Sequence, residues 1–360
     1  MGRNLYFGVA ISPYRVDFCN ALHDRFGFDI FHMRLPYESE CFDIKDILRR
    51  THFENAILPS KKIGGRFIIK GLKKILRESN PEIVIVPEFS FLTLQVIYLR
   101  RQLKMQFKLV VSCDDCMKMI EGSDYSFFHK MMRHFVPPRV DNLILVNDKV
   151  ASWYRSHFGK GLFFPIIYDE NDFRERLEMS LPRSFMIREE MGLAGKKVIV
   201  FIGRLIELKR IPLLMKAFSA VRKDEELVII GDGECRETLE NQSPSHCTFV
   251  GSKSGDELFS WYSIADILVL PSRIEAFGAV VAEALTAGCP VIVSEAAGAT
   301  CMIHENENGS VFTDEKDLEI KLSYWMKKVE QREAFSLRKD LSGFRFNEEV
   351  DRMMKEIARR

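Results

Sequence analysis

A length of 360 residues favours two domains over one, and 46% hydrophobic residues are enough to form two cores. The 52 basic and 51 acidic residues give a net charge of +1, so the overall charge does not indicate a nucleic-acid partner. Eight scattered cysteines are typical of a reducing cytoplasm rather than of a disulfide framework. We find neither a secretory signal nor an apolar stretch of the roughly 20 residues that span a bilayer.

The first half of the chain alternates between apolar strands and helices. Buried-type strands are predicted at residues 5–11, 29–35, 82–87, 107–112, 142–147 and 162–167. Helices are predicted at 16–26, 65–78, 91–104, 127–135 and 149–158, and residues 36–60 are left unassigned. This alternation indicates a parallel sheet that is covered by helices on both faces.

Residues 168–195 are predicted to be polar and irregular, with the domain linker at their start, after which the alternation restarts. Further strands are expected at 197–203, 226–231, 248–251, 267–270, 290–293 and 311–312. Helices are expected at 212–222, 235–241, 256–264, from Phe277 onward, twice within 314–342, and at 347–360. The fold class is therefore α/β, with two doubly wound parallel-sheet domains facing a central cleft. We place them at 1–167 and 168–345, with a helix at 346–360 that packs back on the first domain.

Two cations follow the first strand of the second domain. Arg204 comes at the end of this strand, and Lys209 lies five residues later, near the start of a helix. Free N–H groups at a helix start, together with two cations, suit a diphosphate, especially one that leaves with developing negative charge. The alternative is that both are ordinary surface charges.

The next two strands end in short glycine-containing turns. Gly231-Asp232-Gly233 lacks the full dinucleotide fingerprint, so Gly233 indicates only a tight turn close to a ligand. At Gly251-Ser252-Lys253 the backbone could meet a base edge, and we count Lys253 among the candidate ligand-binding residues.

The most informative stretch is residues 275–290, EAFGAVVAEALTAGCP. Glu275 and Glu283 are eight positions apart, on either side of a turn whose amides come from Ala276, Phe277 and Gly278. Carboxylates accept paired hydrogen bonds from neighbouring hydroxyls, so this turn could hold a ligand that has both phosphate and sugar groups. The alternative is that Glu275 is a charge at a helix N-terminus and Glu283 a surface residue.

These pieces together resemble the nucleotide-sugar-binding domain of retaining GT-B glycosyltransferases, the group 1 family that is also called family 4. The resemblance lies in FIGRLIELKR (201–210), VIIGDG (228–233), residues 249–258, residues 262–303 and NGSVF (308–312). It implies that Arg204 and Lys209 bind the donor diphosphate, that Glu275 contacts the transferred sugar, that Phe277 and Gly278 supply amides, and that Glu283 binds ribose. No metal ion is expected, because Arg204, Lys209 and the helix amides supply the positive charge, and no cofactor is expected.

The N-terminal half matches that family only in architecture. Many members have His-Asp after the strand that corresponds to 107–112, whereas this chain has Asp114-Asp115. Asp114 would then replace the histidine that usually contacts the transferred sugar. His129 and His134 could substitute for that histidine; the alternative is that they have packing or surface roles. The Cys113–Cys116 pair lacks a second pair for a metal site.

Residues 61–77 combine basic and apolar side chains, and 127–135 do the same. As one amphipathic helix, residues 61–77 would indicate an anionic membrane surface. The alternative is an ordinary domain helix with solvated cations. Membrane contact would place the protein at the inner face of the plasma membrane.

The sequence predicts a hexosyltransferase that moves a sugar from a UDP- or GDP-linked donor to a hydroxyl of a glycan or lipid-linked acceptor. Resemblance implies retention of configuration and a role in polysaccharide or glycoconjugate biosynthesis. A nucleotide-sugar 2-epimerase and an inactive sugar-nucleotide-binding partner are the alternatives. The oligomeric state is left open.

Overall fold

The structure, a computed structural model, describes residues 3–36, 42–63, 66–122, 127–330 and 336–359. It divides into two compact units, one of residues 1–166 with 346–360 and one of residues 167–345. The division after residue 166 is one position from the boundary that the alternation predicts.

The N-terminal unit is built on a seven-stranded parallel sheet with the order β3-β2-β1-β6-β7-β8-β9. Its strands are β1 Asn4–Gly8, β2 Phe28–His32, β3 Ala56–Ile57, β6 Ile83–Pro87, β7 Lys108–Cys113, β8 Asn142–Leu145 and β9 Leu162–Phe163. β1 pairs with β2 on one side and with β6 on the other, so the strand order reverses there. Ligands of doubly wound folds bind at such a switch point.

Eight helices of this unit are described. They are α1 Val16–Phe26, α2 Ile44–Arg50, α3 Leu72–Ser79, α4 Phe91–Gln102, α5 Met117–Glu121, α6 Phe127–Phe135, α7 Asp148–Phe158 and the C-terminal α14 Phe346–Arg359. Lys108 Nζ donates to the carbonyls of Ile357 (3.0 Å) and Ala358 (2.6 Å), so a cation caps the C-terminal end of α14. Arg352 also donates to the carbonyl of Phe163 at 2.9 Å.

The predicted basic helix at 65–78 is wrong in its first half. Strands β4 Ser60–Ile63 and β5 Arg66–Ile69 form an antiparallel hairpin, and α3 starts only at Leu72. Lys73 and Lys74 are exposed on α3, whereas Leu72 and Leu76 are buried in the core of the unit. Ile69, Leu72 and Leu76 therefore face inward, and 61–77 is not one amphipathic helix.

The C-terminal unit has a six-stranded parallel sheet with the order β12-β11-β10-β13-β14-β15. The strands are β10 Val198–Ile202, β11 Glu226–Ile230, β12 Cys247–Gly251, β13 Ile267–Leu270, β14 Val291–Ser294 and β15 Gly309–Phe312. The helices are α8 Glu170–Glu190, α9 Ile211–Val221, α10 Arg236–Asn241, α11 Gly255–Ile264, α12 Ala279–Thr286 and α13 Glu315–Lys328. The α/β class and the two parallel sheets are confirmed.

The predicted irregular linker at 168–195 is wrong, because α8 is a helix of 21 residues. Asp169 caps it by accepting hydrogen bonds from the backbone N–H groups of Asn171 and Asp172. Phe173 lies 4.8 Å from Phe259 of α11 between ring centroids, and Ser184 Oγ donates to the carbonyl of Ser260 at 3.1 Å. The apolar periodicity of α8 is weak in the sequence, because serines occupy buried positions and Pro182 lies inside the helix.

Only one of the two helices predicted within 314–342 is observed in the described residues, namely α13. Residues 336–345 are not helical. Among the described residues, we also find no helix with the length and apolar character that crossing a bilayer requires.

Candidate nucleotide-sugar site

Two loops meet at the switch point of the C-terminal sheet, one after β10 and one after β13. Lys209 in the first loop forms an ion pair with Oε2 of Glu275 in the second. Their side chains are 15% and 17% exposed, and Ser272 Oγ donates to the same carboxylate oxygen at 3.1 Å. The structure therefore brings together one predicted cation and one predicted carboxylate.

Arg204 lies in the same loop with its side chain exposed, and we find no ion pair between it and another described residue. The neighbouring Arg210 was not predicted as a site residue. Its Nε donates to the carbonyl of Pro271 at 2.8 Å and its Nη2 to Ser294 Oγ at 3.3 Å. Arg210 thus connects the loop after β10 to the loop after β13 and to the end of β14.

Gly233 allows the loops after β10 and β11 to lie close together. Its φ is 157°, and a Cβ atom there would be 2.6 Å from the carbonyl oxygen of Leu205. Hydrogen bonds from Leu205 N to Asp232 O (2.8 Å) and from Cys235 N to Leu205 O (2.9 Å) join these loops. Gly233 is therefore required by this backbone contact, which is consistent with the predicted tight turn.

The helix after Glu275 begins later than predicted. Gly278 is the N-cap of α12, with φ 101° and without a capping side chain, and Ala279 is the first helical residue. Phe277 is 1% exposed, so its side chain anchors the turn in the core while its carbonyl accepts a hydrogen bond from Ala299 N at 2.8 Å. Ala276 is half-buried. The uncapped N-terminus of α12 offers amide donors and a positive dipole end.

Glu283 lies in α12, four residues after Ala279, which is the first residue of that helix. Tyr168 donates its hydroxyl to Oε1 of Glu283, and Tyr262 donates to Oε2. Both tyrosines are buried, and burial followed by the charge of Glu283 raises the pKa of Tyr262 well above its ordinary value. Glu283 is therefore a fixed carboxylate with neutral donors on both oxygens, not the solvated surface residue of the alternative interpretation.

Lys253 lies apart from this group in the sheet order. It follows the edge strand β12, two strands from β10. Its ammonium pairs with Oε1 of Glu257 at 2.6 Å on α11. The structure gives Lys253 a local partner and does not bring it to Lys209 and Glu275.

In the N-terminal unit, Asp114 follows β7 and is held by a residue after β1. Arg15 Nη2 donates to Asp114 Oδ1 at 2.6 Å. Glu88, which follows β6, accepts the backbone N–H of Asp114 at 3.1 Å. Burial, then the charges of Asp114 and Asp115, raise the pKa of Glu88 from 4.5 to about 7.

Asp115 has a different environment from Asp114. Arg133 donates to both of its carboxylate oxygens, at 2.9 and 2.8 Å, and Tyr154 Oη donates at 3.2 Å. Asp115 is thus a buried structural carboxylate. The adjacent thiols of Cys113 and Cys116 are buried, and burial raises the pKa of both, which disfavours a reactive thiolate.

The two histidines considered as substitutes give no support to that role. His134 is exposed, with its ring 6.3 Å from that of Phe158. The side chain of His129 lies outside the described residues.

Five side chains at these two switch points were not predicted from the sequence as site residues. Tyr168 was placed in an irregular linker, and Tyr262 in a core helix. Their pairing with Glu283 has no local sequence signal, since 115 and 21 positions separate the partners. A search for polar residues directly after each strand could have found Glu88 and Arg210, but the 99-position separation of Arg15 from Asp114 hides that pair.

The C-terminal unit is similar in sequence to known proteins. Residues 185–339 match the family described as glycosyl transferases group 1. An uncharacterised glycosyltransferase of Methanocaldococcus jannaschii is 34% identical over 153 residues, which are 40% of this chain and 39% of that one. A GDP-mannose-dependent alpha-mannosyltransferase of Corynebacterium glutamicum is 35% identical over 128 residues, which are 35% of this chain and 30% of that one. The match thus spans well under half of either relative.

The likeness to solved structures extends further. Anabaena HepE in complex with UDP aligns with 99% of this chain and 100% of its own, with a TM-score of 0.73 and 14% identity. The same protein in complex with UDP-glucose has a TM-score of 0.71 at 15% identity. Identity at this level supports the fold alone. Residues 185–339 are therefore similar to the glycosyl transferases group 1 family, and the chain has the GT-B fold of two Rossmann-like domains.

Proposed function

We propose that this protein transfers a hexose from a UDP- or GDP-linked donor to a hydroxyl group of a glycan or lipid-linked acceptor, with retention of configuration. The observation on which this rests is the ion pair between Lys209 and Glu275 at the switch point of the C-terminal sheet. Lys209 is a cation that can bind phosphate, and Glu275 is a carboxylate that can accept hydrogen bonds from sugar hydroxyls. Both lie within the residues that match the group 1 family, which supports the proposal.

The donor diphosphate would be bound by Arg204, Lys209 and the N-terminal amides of α12. Arg204 is exposed and makes no ion pair with a described residue, so it can pair with phosphate at little cost in desolvation. On binding, Lys209 would share its charge between Glu275 and the diphosphate. These cations supply the positive charge that a leaving diphosphate needs, and the proposal therefore includes no metal ion.

The transfer step balances without a protein nucleophile. The bond between the anomeric carbon and the diphosphate oxygen breaks, and a bond from the same carbon to the acceptor oxygen forms on the same face. The acceptor proton passes to the leaving phosphate oxygen, which yields the glycoside and a nucleoside diphosphate. Glu275 would accept hydrogen bonds from hydroxyls of the transferred sugar, and Glu283 from the ribose.

We assign the acceptor to the N-terminal unit, whose switch point carries Arg15, Glu88 and Asp114. Group 1 relatives include enzymes named for GDP-mannose, and HepE was solved with UDP-glucose, which supports both nucleotides as donor classes. The described cysteines are free thiols, which supports a location in the reducing cytoplasm as part of the proposal. A role in polysaccharide or glycoconjugate biosynthesis is part of the same proposal.

A thermal-shift screen of nucleoside diphosphates and their sugars tests the donor. A bound nucleotide stabilises the folded chain by mass action, about 2.7 kcal/mol at a ligand concentration 100 times Kd. We expect UDP or GDP to raise Tm and Arg204→Ala with Lys209→Ala to remove the shift. Lys216→Ala, an exposed lysine of the same unit, is the matched control. If neither UDP, GDP nor their sugars raise Tm, the proposal is wrong.

A second assay separates transfer from the alternatives. Release of nucleoside diphosphate from UDP-glucose or GDP-mannose supports transfer. Epimerised nucleotide sugar without release would identify a 2-epimerase, and binding without turnover would identify an inactive partner.

A further inference from the structure

Arg15 and Asp114 come together at the switch point of the N-terminal sheet. Arg15 ends the short turn after β1, and Asp114 directly follows β7. In a doubly wound sheet, loops at the carboxyl ends of strands beside the switch point are where ligands bind. The pair therefore lies where the acceptor of the proposed function is expected.

Arg15 is a buried cation that forms an ion pair with Asp114. Its side chain is 10% exposed, and its guanidinium lies 5.9 Å from the Tyr14 ring centroid and 5.8 Å from that of Phe18. A guanidinium removed from water needs an anionic partner, and Asp114 supplies it at 2.6 Å. The two rings pack beside the guanidinium, and the guanidinium donates a hydrogen bond to Oδ1 of the carboxylate.

Asp114 is also fixed through its backbone. Its N–H donates to Glu88 Oε1 at 3.1 Å, and Glu88 itself has a left-handed backbone with φ 54°. The hydroxyl of Thr93, a fully buried residue, donates to the carbonyl of Glu88 at 2.7 Å and stabilises that conformation. Asp114 is thus held at both its backbone and one carboxylate oxygen.

One carboxylate oxygen of Asp114 remains available. Oδ1 accepts the Arg15 hydrogen bond, whereas Oδ2 has no hydrogen-bond partner among the described residues, and the side chain is 33% exposed. The neighbouring Asp115 differs, since both its oxygens accept from Arg133. Of this acidic dipeptide, only Asp114 presents an oriented acceptor to a ligand.

We propose that Arg15 is a positioning residue: it orients Asp114 so that Oδ2 accepts a hydrogen bond from a hydroxyl group of the acceptor. The ligand class is a sugar or another polyol, because an ionised acceptor with a fixed direction suits an O–H donor. This inference rests on the proposed function. It also assigns a role to Asp114, at the position where the resemblance implies a histidine: the Arg15–Asp114 pair supplies a fixed polar group there.

Kinetics on four proteins test the inference: wild type, Arg15→Lys, Asp114→Asn and the double variant. The measured reaction is release of nucleoside diphosphate from UDP-glucose or GDP-mannose, with methyl glycosides as hydroxyl probes. Arg15→Lys keeps the charge but loses the planar fork that orients the carboxylate. Arg3→Lys is the matched control, since Arg3 pairs with Asp29 at 3.3 Å on the surface of the same sheet.

We expect each single variant to lower kcat about 10- to 100-fold, with KM for the nucleotide sugar unchanged within about twofold. The double variant should be no slower than either single variant, because Arg15 acts through Asp114. Arg3→Lys should match the wild type.

The inference would be overturned by multiplicative losses in the double variant or by a wild-type kcat in Arg15→Lys. It would also be overturned by a raised KM for the nucleotide sugar with unchanged kcat. A kcat loss that only follows a fall in Tm below the assay temperature would do so too. If the wild type turns over while Arg15→Lys equals it, only this inference fails. If the wild type neither binds nor turns over nucleotide sugars, the proposed function fails with it.

Discussion

Lys209 and Glu275 form an ion pair across the switch point of the C-terminal sheet, although 66 positions separate them in the chain. The pair is about five-sixths buried, and Ser272 donates to the same carboxylate. Without a bound nucleotide sugar, the charges of Lys209 and Glu275 compensate each other, and the two side chains are already held in place. A diphosphate would add charge on the Lys209 side, and sugar hydroxyls would add donors on the Glu275 side.

Glu275→Ala is expected to lower kcat for transfer by a factor of about 10² or more, because a preorganised group facing the reacting sugar is lost. The affinity for the nucleoside diphosphate should be unchanged or slightly higher, since Lys209 is released to bind phosphate. Single-turnover kinetics and calorimetric titration with UDP and GDP measure the two effects. Glu207→Ala, at a carboxylate that is 83% exposed, is the control. Turnover near the wild-type rate would show that Glu275 has another role.

Tyr168→Phe should weaken binding of the ribonucleoside diphosphate by about tenfold, the value of one hydrogen bond to a charged group. Without the hydroxyl, Glu283 loses the donor that orients Oε1 toward ribose. A 2′,3′-dideoxy analogue should lose much less affinity, because it has no hydroxyl for Glu283 to accept. Titrations with both nucleotides measure the difference, with Tyr324→Phe as a surface control. Equal losses for both nucleotides would argue against ribose recognition by Glu283.

Asp115→Asn should lower the free energy of unfolding by about 3–5 kcal/mol, because Arg133 is then left buried without its charge partner. Denaturant unfolding measures this. Glu78→Gln, which breaks the exposed pair with Lys74, should change stability by less than about 1 kcal/mol. A small effect of Asp115→Asn would contradict the structural role assigned to Asp115.

Glu88→Gln should change the pH dependence of stability. The pKa of Glu88 is about 7 in the folded chain and near 4.5 when unperturbed, so the folded state holds the proton longer. Stability of the wild type therefore falls as pH rises from about 4.5 to 7, by at most about 1.4 kcal/mol per pH unit from this group. The variant lacks this loss, so its advantage over the wild type should grow from pH 5 to pH 8.

Urea unfolding at pH 5, 6, 7 and 8 measures the Glu88 effect. Glu82→Gln, which removes an exposed carboxylate of the same unit, is the control for the substitution itself. A difference for Glu88→Gln that is constant from pH 5 to pH 8 would mean that Glu88 is ionised throughout this range.

Binding to anionic vesicles, if the acceptor is lipid-linked, should depend on charge alone. Lys70, Lys73 and Lys74 are exposed, but Leu72 and Leu76 are buried and cannot enter a bilayer. Reversal of the three lysines to Glu should release the protein from phosphatidylserine vesicles in a flotation assay, and high salt should do the same. Reversal of three exposed lysines of the C-terminal unit is the control: Lys216, Lys316 and Lys327. Unchanged flotation would exclude α3 as the docking surface.

Several of these tests depend on contacts that no sequence pattern could supply. The alternation of strands and helices predicted both sheets because every parallel strand needs a covering connection, and this regularity is local. The hairpin of β4 and β5 was missed because its basic and apolar residues also fit a helical period. Helix α8 was missed because its inward face includes serines, whose hydroxyls bond to backbone carbonyls within the unit, so burial does not require apolar residues there.

The sequence by itself determined the fold class, most of the strands and helices in their succession along the chain, and the likeness of residues 201–312 to a nucleotide-sugar-binding domain. Strand period, turn glycines and the eight-position spacing of Glu275 and Glu283 are properties of residues that lie near one another in the chain. Only the tertiary structure decided which side chains meet: Lys209 with Glu275, Tyr168 and Tyr262 with Glu283, and Arg15 with Asp114. These partners lie on different strands and helices, and folding brings them together at the carboxyl edges of the two sheets. Their burial and charge, rather than their spacing in the chain, set what each carboxylate can do.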